Sequence, residues 1–315
     1  MAFTVSTNNI DNSEVIVLKE SNSSAEAEVY AFGGLLNSFS IQKNSQQYNV
    51  VEGFDSPSHA MKTITDGFKS AKLSPFVCRL EKGAYTFDGQ SYVTNKFFIK
   101  TEAIHGLLYD ATYIIKEKGA DDHKAFVKLE YHYDNKTEGF PFSLTIEITY
   151  TLEAGNKLSL ETKITNTGDT AMPLSDGWHP YFKLGETVND LKIRFNSDTM
   201  MEFDERLLPS GNKIPDARFE TMVELKDTFL DNCFLLKNDT NVSCILKDEN
   251  EGIQLNIFAD ASYPYLQVYT PPHRKSIAVE NLSSVPDAFN NGIGLIVSNP
   301  GDISVFKTTY QLVEL

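Results

Sequence analysis

Apolar and polar residues alternate most strictly in the middle of the chain. From Phe142 to Leu152 the apolar positions are Phe142, Leu144, Ile146, Ile148, Tyr150 and Leu152, with Ser143, Thr145, Glu147, Thr149 and Thr151 between them. Successive side chains of a strand point to opposite faces, so a period of two predicts a strand with one buried face. Gly155-Asn156 supplies a turn, and Leu158, Leu160, Thr162 and Ile164 then continue on one face, which predicts a hairpin. Val127, Leu129, Tyr131 and Tyr133 alternate in the same way, as do Ile253, Leu255 and Ile257. Short strands separated by Asn, Asp and Gly recur to the C-terminus. Helical periodicity is poor. Its best stretch is 60–68, with Ala60, Met61, Ile64 and Phe68 on one side, enough for about two turns. No repeat, linker or low-complexity tract divides the chain. The pattern predicts an all-β fold with few short helices and one domain spanning 1–315, either a large antiparallel β-sandwich or a barrel.

Composition narrows the partners more than the fold. With 315 residues, 41% hydrophobic and 11% aromatic, the chain can bury a substantial core and does not read as disordered. A formal net charge of -15 disfavours approach to nucleic acid or to an anionic membrane. No apolar run reaches the roughly 18 residues that span a bilayer, and Met1 to Glu20 lacks a basic segment followed by an apolar one. A cytoplasmic protein is expected, as a monomer or homodimer. Cys78, Cys233 and Cys244 are odd in number and show no C-x-x-C spacing, so buried free thiols are expected rather than disulfides or a zinc site. Arginine is scarce: Arg79, Arg194, Arg206, Arg218 and Arg274. Arg79 sits in an apolar context, where an arginine is expected to be paired.

Six histidines are available for chemistry. His132 alternates with Tyr131 and Tyr133 and should lie on the polar face of its strand. His123 follows two aspartates and should be solvated, and His59 follows Pro57 in a loop. His179 differs. It sits in Asp176-Gly177-Trp178-His179-Pro180-Tyr181-Phe182, where Gly and Pro restrict the backbone and three aromatics surround the imidazole. Aromatic walls suit a sugar, whose pyranose ring offers apolar C–H faces to them and hydroxyls to polar groups. His105-Gly106 is a pair that can bring backbone close to a ligand. Glu280 ends the apolar run Ser276 to Val279, and a carboxylate at the mouth of a buried strand can have a raised pKa and act as a base. The segment from Ser283 to Asn290 reads as a loop. Asp231, before Asn232-Cys233-Phe234, reads as a cap or turn residue. No metal-binding spacing such as H-x-H or H-E-x-x-H occurs, and Gly33-Gly34 does not make a phosphate loop, so no metal or other cofactor is expected.

Taken in chain order, these segments resemble the aldose 1-epimerase (galactose mutarotase) family. Gly33-Gly34-Leu35-Leu36-Asn37-Ser38-Phe39 resembles its early Gly-Gly strand. Leu73-Ser74-Pro75-Phe76-Val77-Cys78-Arg79-Leu80, followed by Gly83-x-Tyr85-x-Phe87-x-Gly89, resembles the segment carrying its substrate-binding Arg. His105-Gly106 is similar to its first active-site His, and His179-Pro180-Tyr181-Phe182-Lys183-Leu184 to its H-P-Y-F-N-L signature. Asp231-x-x-Phe234 and Ile277-Ala278-Val279-Glu280 with Pro286-Asp287-Ala288-Phe289-Asn290 resemble its Asp strand and its catalytic Glu segment. Three positions depart from the family pattern: Cys78 stands where Asn is frequent, Lys183 replaces the Asn after Tyr-Phe, and Glu102-Ala103-Ile104 replaces an Asn-containing approach to the first His.

The resemblance implies a large antiparallel β-sandwich and a free aldose as substrate, with α and β anomers interconverted by ring opening and closure. It implies Glu280 as the base toward the O1 hydroxyl and His179 as the acid toward the ring oxygen. With a reference pKa near 6.5, His179 can be protonated at roughly neutral pH in the negative field that Glu280 and Asp231 would supply. His105, Arg79, Asp231 and Trp178 would bind the sugar. No metal or nucleotide is implied. Two other readings share these residues: a non-catalytic carbohydrate-binding protein on the same fold, and an epimerase of a phosphorylated hexose with Arg79, Lys183 or Arg274 on the phosphate. A lyase or hydrolase module leaves no room for its second catalytic domain.

Overall fold

The computed structural model describes residues 2–22, 25–134, 139–237 and 242–315. Among them, the alternating segments form a nine-stranded antiparallel sheet in the order Ile114–Ala120, Lys124–Asp134, Ser143–Glu153, Lys157–Asn166, Ile303–Glu314, Ile253–Ala259, Cys244–Asp248, Lys192–Phe195 and Val223–Glu224. The predicted hairpin is present: Ser143–Glu153 pairs in continuous register with Lys157–Asn166, closing on Glu153 opposite Lys157. An eight-stranded sheet lies against it. Its order is Pro209–Pro215, Thr199–Phe203, Asp231–Leu235, Tyr265–Tyr269, Ile277–Leu282, Gly177–His179 and Ala71–Leu73, and Tyr181–Phe182 also pairs with Ile277–Leu282. A further five-stranded sheet is built from residues 3–49. The fold is therefore a large antiparallel β-sandwich of the kind the resemblance implies. Aromatic pairs join the two larger sheets: Tyr150 with Trp178, Phe182 with Tyr310, and Phe195 with Phe234, at centroid distances of 6.2, 5.3 and 4.6 Å.

Helices are few and short. The one anticipated over 60–68 begins earlier, as Pro57–Thr63, and continues as a tighter turn over Ile64–Asp66. The early start has a local cause. The Ser56 side chain accepts a hydrogen bond from the His59 N–H, and Pro57 fills the first turn, where its missing N–H costs nothing. His59 consequently belongs to this helix rather than to a loop. A second short helix, Ala288–Asn291, lies inside the segment expected to be loop. No helix among the described residues is long and apolar enough to cross a membrane. All three cysteines are free and buried.

The eight-stranded sheet sets the two environments that matter. Along Tyr265–Tyr269, Leu266 and Val268 enter the sandwich core, while Gln267 and Tyr269 point away from it. Along Ile277–Leu282, Ile277 and Val279 face the core and Glu280 faces out; in Asp231–Leu235, Phe234 faces the core and Asp231 faces out. Gly177–His179 follows the same rule, with Trp178 inward and His179 outward.

One inward residue of this sheet is charged. Lys72, flanked by Ala71 and Leu73, is fully buried, as is its partner Asp176. The Lys72 ammonium donates to Asp176 Oδ2 at 2.5 Å, to Thr162 Oγ1 at 3.1 Å and to the Gly177 carbonyl at 3.2 Å, and lies 4.3 Å from the Trp178 ring centroid. The Tyr263 hydroxyl donates to the same Asp176 oxygen at 2.7 Å. Burial pulls the Lys72 ammonium down to about 8 and pushes the Asp176 carboxyl up, each opposed by the partner's charge. Removing one member leaves the other charge uncompensated. Asp176→Ala should cost about 3–5 kcal/mol in urea unfolding, and adding Lys72→Met to that variant should recover most of the loss.

Candidate active site

The outward face of the eight-stranded sheet floors a cavity of about 380 Å3. Glu280 and His179 meet there from paired regions of the sheet, with His179 Nε2 3.4 Å from Glu280 Oε1. Glu280 lies in mid-strand, flanked in register by Gln267, and not at a strand mouth as its sequence context suggested. Gln267 Nε2 donates to Asp231 Oδ1 at 2.8 Å, so three adjacent strands supply Glu280, Gln267 directly opposite it, and Asp231 on the diagonal beyond. The Cys78 thiol is 3.9 Å from Glu280 Oε2, where it serves as a weak donor. Rings enclose the imidazoles: His105 packs nearly perpendicular to His179 at 4.8 Å, Tyr181 lies 4.9 Å from His179, and Phe68 lies 4.5 Å from His105.

Local backbone conformation delivers the residues contributed by loops. His105 adopts φ +63° and Cys78 φ +48°, left-handed conformations that side chains rarely take. The His105 N–H donates to the Cys78 carbonyl at 2.8 Å, and the Leu107 N–H to the Ser74 carbonyl at 2.8 Å, which ties the two segments together. Gly106, at φ +74°, lies where a Cβ would approach the Ser74 carbonyl oxygen to 2.3 Å. Glycine is required there, and it is what lets His105 and Cys78 converge on one cavity.

Burial dominates the electrostatics. It pushes the Glu280 carboxyl well above the usual carboxylate range, and the neighbouring Asp231 charge pushes the same way, against the milder pull of Arg79 and the Cys78 thiol. Asp231 is raised by burial too, with Arg79 and Gln267 opposing. Burial holds His179 down at about 4, and burial, with the neighbouring His179 and Arg79 charges, holds His105 well below the usual histidine value. Burial thus works against the protonated His179 that was expected, and the Glu280 carboxylate, 3.4 Å away, is the charge that offsets it.

Of the residues anticipated from sequence, Glu280, His179, His105, Arg79 and Asp231 all line this cavity. Trp178 does not. It is inward on its strand, packed on Lys72 and Tyr150 in the core. Strand parity explains the correction: neighbours in a strand cannot share a face, so His179 at the site excludes Trp178 from it. The Arg79 guanidinium was expected to be paired. It lines the cavity, and among the described residues its side chain has no hydrogen-bond or ion-pair partner, which leaves its donors free for a ligand. Gln267, Phe68, Tyr269 and the Glu52–Lys69 ion pair also line the cavity and were not anticipated. Gln267 carried a signal, since it is the one polar residue in Tyr265–Tyr269 that interrupts an otherwise apolar or aromatic strand. No group of three or more His, Cys, Asp or Glu among the described residues is arranged to hold a metal ion.

The family model described as Aldose 1-epimerase matches residues 14–311. The chain belongs to the aldose 1-epimerase family. The uncharacterized protein YihR of Escherichia coli K12 is 29% identical over 237 residues, covering 73% of this chain and 74% of its own. An aldose 1-epimerase of Haemophilus influenzae is 26% identical over 164 residues, 46% of this chain and 47% of that protein, and human galactose mutarotase is 25% identical over 203 residues, 61% and 56% respectively. A galactose mutarotase-like protein from Clostridium acetobutylicum superposes with a TM-score of 0.88 at 17% identity, covering 100% of this chain and 99% of the other. A galactose 1-epimerase from Lactobacillus acidophilus gives 0.81 at 18% identity, covering 99% and 98%. At such identities the structural likeness shows the fold alone.

In this aldose 1-epimerase-family chain the Gly106 turn is open to a direct test. Gly106→Ala places a Cβ against backbone at an unfavourable φ, and should lower stability by about 2 kcal/mol or more in urea unfolding.

Proposed function

We propose that the protein is an aldose 1-epimerase that interconverts the α and β anomers of a free aldohexose. The observation that carries this reading is the Glu280–His179 pair, 3.4 Å apart on the floor of one cavity. Mutarotation takes a proton from the O1 hydroxyl and gives one to the ring oxygen, and the open chain then rotates about C1–C2 and closes on the other face. One base and one acid suffice, provided each can return its proton. Glu280 takes the O1 proton and His179 gives one to the ring oxygen. Arg79, Asp231 and His105 hold hydroxyls, so that the open chain recloses before it leaves.

The site electrostatics fit this scheme in a specific way. Ring opening converts a carboxylate and an imidazolium into a carboxylic acid and a neutral imidazole. Burial favours that second, neutral pair. The cavity thus favours the protonation state that accompanies the open chain, and lowers the cost of its formation. Closure restores the charged pair with the sugar hydroxyls as hydrogen-bond partners. The proton belongs to the pair, not to either residue alone.

An epimerase of phosphorylated hexoses is less well supported. Of the three cations considered for a phosphate, only Arg79 lines the cavity; Lys183 is exposed outside it, and Arg274 is engaged by Asn189 and by the Thr228 and Lys226 carbonyls. A silent sugar-binding protein would have no use for the acid–base pair.

Three outcomes test the assignment. Glu280→Gln should slow anomerisation of fresh α-glucose or α-galactose, followed by polarimetry, by at least about 100-fold; near-wild-type rates would rule out Glu280 as the base. The same variant should melt higher at neutral pH, by the equivalent of about 0.5–2 kcal/mol. A carboxyl whose folded pKa is raised loses its stabilising contribution as pH rises through that value, whereas the amide has no charge to bury. Finally, activity needs one proton on the pair. The rate should fall as pH drops through about 4, where His179 gains a second proton for the pair, and should fall again as pH rises through the elevated Glu280 value.

A further inference from the structure

The acid–base scheme leaves the segment Pro286-Asp287-Ala288-Phe289-Asn290 without a task. We infer that Asp287 is a positioning residue for Arg79: its backbone N–H and one carboxylate oxygen close the open edge of the short strand from which the guanidinium reaches the cavity. This rests on the sugar-binding role of Arg79 in the activity proposed above.

Arg79 needs such support because no protein group holds its tip. Among the described residues its guanidinium has no hydrogen-bond or ion-pair partner, so its direction into the cavity is set where the side chain leaves the backbone. That backbone is a two-residue strand, Arg79–Leu80, at the edge of a three-stranded sheet in the order Phe98–Ile99, Glu102–Ile104, Arg79–Leu80. On its inner side Arg79 lies opposite Ile104. On its outer side no strand pairs with it among the described residues. Backbone groups two residues apart in an extended chain point the same way, so the Arg79 carbonyl and the Glu81 N–H face one edge together. Asp287 engages both. Its N–H donates to the Arg79 carbonyl at 2.7 Å, and its Oδ1 accepts from the Glu81 N–H at 2.9 Å.

The local structure around Asp287 is built for this contact. Asp287 precedes the helix Ala288–Asn291, where an aspartate side chain ordinarily caps its own helix, yet it makes no such bond. Its backbone is left-handed, at φ +60°, a conformation that aspartate and asparagine tolerate better than most residues. Asn290 Nδ2 steadies the carboxylate, donating to Asp287 Oδ1 at 2.7 Å and to the Ala84 carbonyl at 2.9 Å. The oxygen matters more than the charge. Burial pushes the Asp287 carboxyl up against the pull of the Glu81 N–H and the Asn290 amide, and the Glu81 and Glu102 carboxylates push it the same way as burial. Asp287 is buried and does not line the cavity, so it acts on a sugar only through Arg79. His105 has separate anchors in the Cys78 and Ser74 carbonyls.

The test follows fresh α-glucose by polarimetry in Asp287→Gly, Asp287→Asn, Asp287→Glu, Arg79→Ala and the Arg79→Ala, Asp287→Gly double variant, with thermal melting to confirm folding. Glycine keeps the N–H and accepts a positive φ but removes the oxygen. Asparagine keeps the oxygen without the charge, and glutamate keeps the charge but displaces the oxygen. Asp287→Gly, Asp287→Glu and Arg79→Ala should each lose about tenfold or more in kcat/KM, chiefly through KM, while Asp287→Asn stays within about twofold. Added to Arg79→Ala, Asp287→Gly should cost less than about twofold more. If the glycine variant does not fold, the contrast between asparagine and glutamate decides. Unchanged KM in Asp287→Glu, a loss in Asp287→Asn equal to that in Asp287→Glu, or a full further loss in the double variant would overturn the inference. If the wild type binds glucose without speeding its anomerisation, the activity falls but the inference is still read: calorimetric Kd values should rank the variants in the same order, and a different order would overturn it. Absence of sugar binding by the wild type would overturn both.

Discussion

The constraint on which the site depends is the two-residue alternation of the eight-stranded sheet, with one face dry and the other lining a cavity. Each strand sends apolar residues into the sandwich: Ile277 and Val279, Leu266 and Val268, Phe234, and Trp178. The same backbone then has no freedom in where it places Glu280, Gln267, Asp231 and His179. Because sheet register is held by ladders of hydrogen bonds and by a packed core, the separation of the acid and the base is fixed by the fold. Flexible loops do not set it. The buried Lys72–Asp176 pair belongs to the same frame. It lies under the strand that carries His179, bonds to the Gly177 carbonyl, and takes its apolar cover from Trp178.

This alternation also explains what was legible in the sequence. The long strands from Lys124 to Asn166 announce themselves because one face is buried and the other is wet, and their hairpin is as the pattern implies. The eight-stranded sheet is harder to read. Its strands are short and carry few exposed positions, so Gly177–His179 and Ile277–Leu282 show almost no polar alternation. The resemblance to a family located Glu280, His179, His105, Arg79 and Asp231, whereas composition alone would have left each of them ambiguous. It misassigned Trp178 because an aromatic beside a site histidine in sequence lies on the opposite face of the strand in space. The Glu52–Lys69 pair gave no local signal: the two residues are far from any motif, and only tertiary packing brings them together at 2.7 Å.

The departures from the family pattern are unequal in position. Lys183 is exposed outside the cavity, and Glu102 is buried with Oε2 accepting from the Lys82 N–H at 2.6 Å, so neither lines the cavity. Cys78 is different, since its thiol is the group that faces Glu280 Oε2. An amide at this place would offer a strong hydrogen bond to a carboxylate, whereas a thiol is a weak donor and poor solvator. With Cys78 beneath it and Asp231 across from it, Glu280 has little to stabilise its charge except the Arg79 guanidinium and a bound ligand. A carboxyl held in this way is a stronger base once ionised, and its ionised form depends on the sugar hydroxyls for hydrogen bonds. Binding and activation are then one event: the ligand that fills the cavity supplies the partners that the carboxylate lacks, and the neutral pair left behind when the ring opens is the state the empty cavity already prefers.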